Sequence, residues 1–289
     1  MLPYPISDEA VVDAFPQFNV RKEPLGRGGM KTAYLVEQDE QPLVLKIIRQ
    51  PLDDPDADGL VSLPARLIRE IEGMNAIDHP RIVRILDGPA TVEIEGHLRG
   101  WYTEPFYSGG TLADRLGTAW SEQSVVDLAT GLVEAVGVLA ENGIVHRDIK
   151  PGNIVFDDQD QPVLLDLGIA LFIDLTPLTD QFGASPRTPA YAAPEQFQIR
   201  SLVRIDFRTD LFLVGVVLFE ALTAKHPFNL GDPVEYLNRL GSGQFDQVAL
   251  DAVSPSNPLR DLLRRLLAPN RAHRFRRVEH VATAIERCR

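Results

Sequence analysis

"IVHRDIKPGNIVF", residues 144–156, sets His146, Arg147, Asp148, Lys150 and Asn153 between two apolar ends. Ten residues after Phe156 comes "LLDLGIA", with Asp166-Leu167-Gly168, and farther on "TPAYAAPEQF" carries Ala193-Pro194-Glu195. Upstream, "LGRGGMKTAYLV" (25–36) starts like a phosphate-cradling G-x-G-x-x-G turn at Gly26 and Gly28, with Lys31 in the slot of the third glycine. Alone, the glycine pair is weak, since ordinary hairpin turns produce it often. The three downstream motifs, in fixed order, are not a product of chance.

The 289-residue chain is 44% hydrophobic and 24% charged, which fits a soluble globular protein with one large domain or two lobes. Its net charge of -12 and pI near 5.0 argue against binding nucleic acid or an anionic membrane through bulk charge. The single cysteine, Cys288, cannot close an internal disulfide, fits a reducing compartment and, beside the chain end, is no candidate nucleophile. "MLPYPISDEA" lacks the basic segment and apolar core of a secretory signal. The apolar run 211–219 is about half the length of a membrane span and reads as a buried helix. A cytoplasmic protein is the expectation.

No internal repeat stands out. Residues 1–17 read as an extension or short helix ahead of a domain spanning 18–285. "FNVRKEPL", "TAYLVEQ" and "PLVLKII" predict three antiparallel strands with the glycine-rich turn between the first two. Asp54, Asp56, Asp58 and Gly59 resemble the start of an EF-hand loop, but Ala65 stands where a glutamate is required and Pro55 interrupts it. A solvated acidic loop is the better reading. Residues 63–77 have helical spacing, with Leu67, Ile68, Ile71 and Met74 on one face, and "RIVRILD" and "GWYTEPF" read as two more strands. The rest is mainly helical: "SEQSVVDLATGLVEAVGVLAENG", capped by Ser121 and stopped by Gly143, then "DLFLVGVVLFEALT" and "PLRDLLRRLLA". The pattern predicts an α+β fold: a strand-rich small lobe (18–105), a joining segment (104–110) and a helical large lobe (111–285), with a ligand cleft expected between the lobes.

By its three motifs the chain is identified as a member of the eukaryotic-like Ser/Thr protein kinase family over roughly residues 18–285. The resemblance implies a bilobal fold with a five-stranded antiparallel small lobe carrying one helix, and ATP with Mg²⁺ or Mn²⁺ as cofactors. Phosphoryl transfer through a loose transition state needs positioning and charge compensation more than covalent work. By resemblance, Asp148 orients the substrate hydroxyl and accepts its proton, while Lys150 sets a positive charge on the transferring phosphoryl. Asn153 and Asp166 would supply hard oxygen ligands to Mg²⁺. Lys46 of "LVLKII" matches the strand lysine that binds the α- and β-phosphates. Its helix partner, counted back from Pro80, is Glu70; the competitor Glu72 points about 200° away around that helix. Asp210 resembles the buried aspartate that braces the catalytic loop, and Arg274 sits where the family pairs an arginine with Glu195. "EPFYSGGTL" resembles the hinge, whose backbone around Phe106 and Tyr107 binds adenine; Leu25, Ala33, Leu45 and either Val155 or Leu165 would wall the base.

Small-molecule phosphotransferases generally lack both a lysine like Lys150 and an Ala-Pro-Glu segment, so the resemblance implies protein substrates phosphorylated on Ser or Thr. In the activation segment (166–195), Thr176, Thr179 and Ser185 are expected autophosphorylation sites, with Arg147 as the arginine that pairs with such a phosphate; Thr188 reads as structural. Three departures stand out. Leu167 replaces phenylalanine and Arg187 a common glycine, while Glu104 takes the gatekeeper position behind adenine unless a one-residue slip puts Thr103 there. A carboxylate at that depth needs a partner. Lys31 resembles the loop lysine of the with-no-lysine kinases, yet the strand lysine is retained as Lys46, so Lys31 either reaches the phosphates or points into solvent. No sensor or anchor is read after residue 285, so input is expected from a separate regulatory or substrate partner. The reading from a different class is a catalytically inactive kinase-like scaffold that binds nucleotide or a partner without turnover.

Overall fold

A computed structural model describes residues 4–28, 31–52, 77–166, 190–197, 205–228 and 231–289. They fall into two compact units, one from Met1–Asp78 and Val83–Tyr107, the other from His79–Ile82 and Ser108–Arg289.

In the first unit a five-stranded antiparallel sheet runs in the order β1-β2-β3-β5-β4. Its strands are β1 (Asn19–Arg27), β2 (Lys31–Gln38), β3 (Gln41–Ile48), β4 (Ala90–Ile94) and β5 (His97–Pro105). Alternation along the strands sends Tyr34, Val36, Leu43, Leu45 and Ile47 into one apolar core. Helix α1 (Asp8–Ala14) covers that core with Val11, and Phe15 behind it meets the Trp101 ring edge-on at 5.2 Å. The helix starts where Ser7 accepts from the Ala10 N–H, and Asp8 and Glu9 complement its dipole. The segment ahead of residue 18 is thus part of this unit's core.

One expected strand is corrected. "RIVRILD" forms no strand; of it, only Ile82 makes a bridge, to Leu164, and the strand preceding β5 is β4, "ATVEI". Ile82 and Val83 are both buried, which breaks the alternation a half-exposed strand requires. The backbone of 86–87 instead closes on Thr103, with Leu86 N–H donating to Thr103 O (2.9 Å) and Thr103 N–H to Asp87 O (2.9 Å). The helix expected over 63–77, with Glu70 and Glu72, lies outside the described residues except for Ile77, which is buried and not helical, and the acidic loop at 54–59 lies outside them altogether.

The second unit is mainly helical. In chain order it holds α2 (Leu112–Arg115), α3 (Glu122–Glu141), α4 (Phe207–Thr223), α5 (Pro233–Ser242), α6 (Gln247–Ala252), α7 (Asn257–Leu266) and α8 (Val278–Glu286). Ser121 caps α3 by accepting from Ser124 N–H, and Gly143, at φ +71°, takes the left-handed turn just beyond its end. By length and composition α3 is apolar enough to cross a membrane, but more than half of it is buried within this unit, as in the core helix of a folded domain. The run 211–219 is buried throughout α4. A Cβ at Gly215 would come within 2.7 Å of Leu266 Cβ, so glycine here lets α4 and α7 close on each other. Between α3 and α4 the chain forms a two-stranded antiparallel ribbon, β6 (Ile154–Phe156) and β7 (Pro162–Leu164).

Candidate active site

In the first unit Gly26, Ala33, Lys46 and Tyr102 stand opposite one another across four strands. Lys46 therefore faces away from the α1 side, together with Val44 and Glu104. Its Nζ lies 2.6 Å from Glu104 Oε2, and the two residues are only 5% and 2% exposed. Thr103 points to the other face, where its hydroxyl accepts from Asp87 N–H at 3.0 Å. The carboxylate read as a gatekeeper thus has a cation beside it. A buried pair of this kind specifies an arrangement more than it adds stability, because desolvation offsets the attraction.

Lys31 turns under the sheet. Its Nζ donates to Tyr102 Oη at 2.8 Å and lies 5.4 Å from the ring centroid. The β1–β2 turn is closed by Gly28 N–H donating to Lys31 O at 2.9 Å. Leu25 is half exposed, and Phe106 and Tyr107, directly after β5, are partly buried. Leu45, expected to wall the base, is corrected: it is fully buried in the core under α1. Successive residues of a strand face opposite sides, so Val44, two before Lys46, takes the place beside it.

In the second unit the loop 146–153 is built around Asp210 of α4. Asp210 Oδ2 accepts from His146 N–H and Oδ1 from Arg147 N–H, both at 2.8 Å. Complete burial pushes this carboxyl's pKa up, against the opposing pull of His146, Arg147 and their N–H groups. The two bonds hold Arg147 at φ +67°, a left-handed conformation unusual for a side chain of its size. His146 Nδ1 accepts from Asp148 N–H (3.3 Å), so Nε2 carries the proton and donates to Leu165 O (2.8 Å).

Asp148 is held from two sides. Lys150 Nζ lies 2.9 and 2.7 Å from its two carboxylate oxygens, and Asn153 Nδ2 donates to Asp148 Oδ2 and to its carbonyl, both at 2.8 Å. Pro151 opens the short 3₁₀ turn (Pro151–Asn153) that brings Asn153 back to the aspartate. With its amide nitrogen on Asp148, Asn153 keeps Oδ1 as a hard oxygen donor. Leu165 N–H donates to Asn153 O at 2.9 Å, which ties the chain just ahead of Asp166 to the same loop. Asn153 Oδ1 and the Asp166 carboxylate are donors of the type taken by Mg²⁺, which uses few protein ligands and completes its shell with phosphates and waters.

Glu195 and Arg274 form the other fixed point. Arg274 Nη1 and Nη2 meet Glu195 Oε1 and Oε2 at 2.7 and 3.0 Å, and Thr209 Oγ1 donates to Oε1 at 2.8 Å. Burial raises the Glu195 pKa, but Arg274 outweighs it and holds the carboxyl below its ordinary range. Gln196, which the sequence reading passed over, joins this segment to the loop: its Nε2 donates to Arg147 O (3.0 Å) and its Oε1 accepts from Ala193 N–H (2.8 Å). Only its place directly after Glu195 marks it in sequence. Of the expected residues, Glu70, Leu167, Thr176, Thr179, Ser185, Arg187 and Thr188 lie outside the described residues. The others gather within their own units, Leu25, Gly26, Gly28, Lys31, Ala33, Lys46, Glu104, Phe106 and Tyr107 in the first and Asp148, Lys150, Asn153 and Asp166 in the second.

Comparison with known proteins places the chain in one family. The serine/threonine-protein kinase PknF of Mycobacterium tuberculosis (strain ATCC 25618 / H37Rv) is 30% identical over 281 residues, covering 94% of this chain and 56% of PknF. The serine/threonine-protein kinase pkn2 of Myxococcus xanthus is 29% identical over 290 residues, covering 96% of this chain and 33% of pkn2. The chain thus spans about half, or less, of the length of these relatives. The solved structure of Rad53 1-466 in complex with AMP-PNP shares the fold, with a TM-score of 0.71 at 23% identity over 94% of this chain and 64% of that one. The family model described as protein kinase domain matches residues 19–284, and the chain belongs to that family.

Proposed function

We propose that this chain is an active, ATP-dependent Ser/Thr protein kinase. The observation that carries the reading is Asp148, whose carboxylate is oriented by Lys150 and Asn153 on a loop pinned to Asp210. A scaffold without turnover has no need of that arrangement. Asp148 takes the proton of a Ser or Thr hydroxyl as the hydroxyl oxygen bonds to the γ-phosphorus and the bond from that phosphorus to the β-phosphate oxygen breaks, releasing ADP; Lys150 offsets charge on the phosphoryl oxygens. Lys46 and Lys31 bind the ATP phosphates from the first unit, and Glu104, at the gatekeeper position, fixes Lys46. Leu25, Ala33 and the backbone of Phe106 and Tyr107 receive adenine. Asn153 and Asp166 hold Mg²⁺, which when bound neutralises charge between the phosphates.

Arg147 Nε is buried with no hydrogen-bond partner among the described residues, which supports a phosphate arriving there from Thr176, Thr179 or Ser185. The Ser/Thr kinase names of PknF and pkn2 support protein substrates. A cytoplasmic location, a separate regulatory partner and no nucleic-acid or membrane ligand belong to the same reading; the charge of -12 supports the last of these. Incubation with radiolabelled MgATP is expected to label the wild type on Thr176, Thr179 or Ser185 and to leave Asp166→Ala unlabelled. Wild type that binds MgATP but never takes up label would establish the scaffold instead.

A further inference from the structure

Two arginines flank the glycine-rich turn, and both end on residues 4–8. Arg27, the last residue of β1, donates through Nη1 to Ile6 O (3.3 Å) and through Nη2 to Asp8 Oδ1 (2.5 Å). Arg49, directly after β3 and 4% exposed, donates through Nη1 to Gly28 O (3.0 Å) and through Nη2 to Tyr4 O (3.4 Å). Asp8 also accepts from Tyr34 Oη on β2 at 2.7 Å. Arg99, itself buried, donates to the Arg49 carbonyl from β5.

A guanidinium is costly to bury unless its donors meet acceptors, and here one acceptor belongs to the turn and the other to the N-terminal segment. Burial holds the Arg49 pKa below its ordinary value, and the charge of Arg27 adds to that, so the two cations stand close together. Asp8 is the anion beside Arg27. Residues 4–8 are fixed in turn by α1, whose Val11 and following Phe15 are buried in the sheet core. The chain from the core helix to the turn that bears Gly28 is therefore continuous: α1, Tyr4 and Asp8, the two arginines, Gly28.

We propose that Arg49, with Asp8 acting through Arg27, is a positioning residue for ATP: residues 4–8 strap the glycine-rich turn into its phosphate-binding conformation. The affinity consequence rests on the kinase reading above, whereas the strap itself can be read in the free protein. The full chain carrying Arg49→Met is compared with wild type by hydrogen–deuterium exchange and by steady-state kinetics. Exchange over residues 24–34 is expected to rise about tenfold while that of β4 in the same unit stays unchanged, as for a local opening released by losing a charged hydrogen bond. KM for ATP is expected to rise about tenfold with kcat within about twofold, the signature of lost binding without lost chemistry. Arg49→Lys should recover only part of either change, since one ammonium cannot reproduce a fork to two carbonyls.

Unaltered exchange over 24–34 overturns the strap. So does exchange that rises equally in β4 of the same unit, since that pattern belongs to a residue that only stabilises the fold. If Arg49→Met does not fold, Asp8→Asn on the partly exposed side of the same connection carries both measurements. Should wild type transfer no phosphate at all, the kinase reading falls while the exchange result still decides the strap.

Discussion

Asp148→Ala lowers kcat for phosphate transfer by about a thousandfold, the range expected when a positioned general base is removed. The fold should survive it. The Asp148 side chain and the Lys150 side chain are each 39% exposed, so the ammonium left behind stays in water and the stability change is below about 1 kcal/mol. KM for ATP should be nearly unchanged, because Asp148 is read as meeting the substrate hydroxyl and not the nucleotide. Asp148→Asn separates the parts of the role: it keeps the size and one acceptor oxygen but cannot take a proton, and it should fall almost as far as alanine. Single-turnover transfer rates and a thermal melt of each variant check this. A kcat within tenfold of wild type in Asp148→Ala would remove Asp148 from the chemistry.

Glu104→Ala destabilises the protein by about 3 kcal/mol, the scale for taking one partner from a buried ion pair. The reason is the 2.6 Å contact to Lys46 in a place that excludes water, where the ammonium loses a carboxylate and gains no solvent. Glu104→Gln, which keeps an acceptor, should lose less. Replacing both residues, as Glu104→Leu with Lys46→Met, should recover most of the stability and none of the activity. The coupling comes from a double-mutant cycle on urea midpoints. Additive losses in that cycle would show that the two side chains do not depend on each other. On the activity side, Lys46→Ala should keep a residue of transfer that Lys46→Ala with Lys31→Ala does not. Complete loss in the single variant would take Lys31 away from the phosphates and leave it as the partner of Tyr102.

The second unit was the more legible in sequence. His146, Asp148, Lys150 and Asn153 lie within one short turn, so a linear motif and a three-dimensional cluster coincide there. Asp210 and the Glu195–Arg274 pair follow from motif positions, and both contacts are present. The first unit was harder because its decisive contacts join residues far apart in the chain. Nothing in "WYTEPF" says that Glu104 meets Lys46, and nothing in "ISDEA" says that Asp8 meets Arg27 and Tyr34. Leu45 was misplaced by one step of strand alternation, since an apolar residue next to the lysine fits either face until the core is seen. Residues 81–87 have strand composition but bury consecutive side chains, and composition does not report the direction in which a residue faces.

The brace at Asp210 ties chemistry to cohesion. The two oxygens that shape the loop belong to α4, and α4 is the most deeply buried of the described helices of its unit, closed against α7 at Gly215. Relaxing the loop leaves a wholly buried carboxylate without its donors, so loop and helix are expected to open together: under rising denaturant, the hydrogen-exchange protection of residues 146–148 should be lost with that of α4 and not ahead of it.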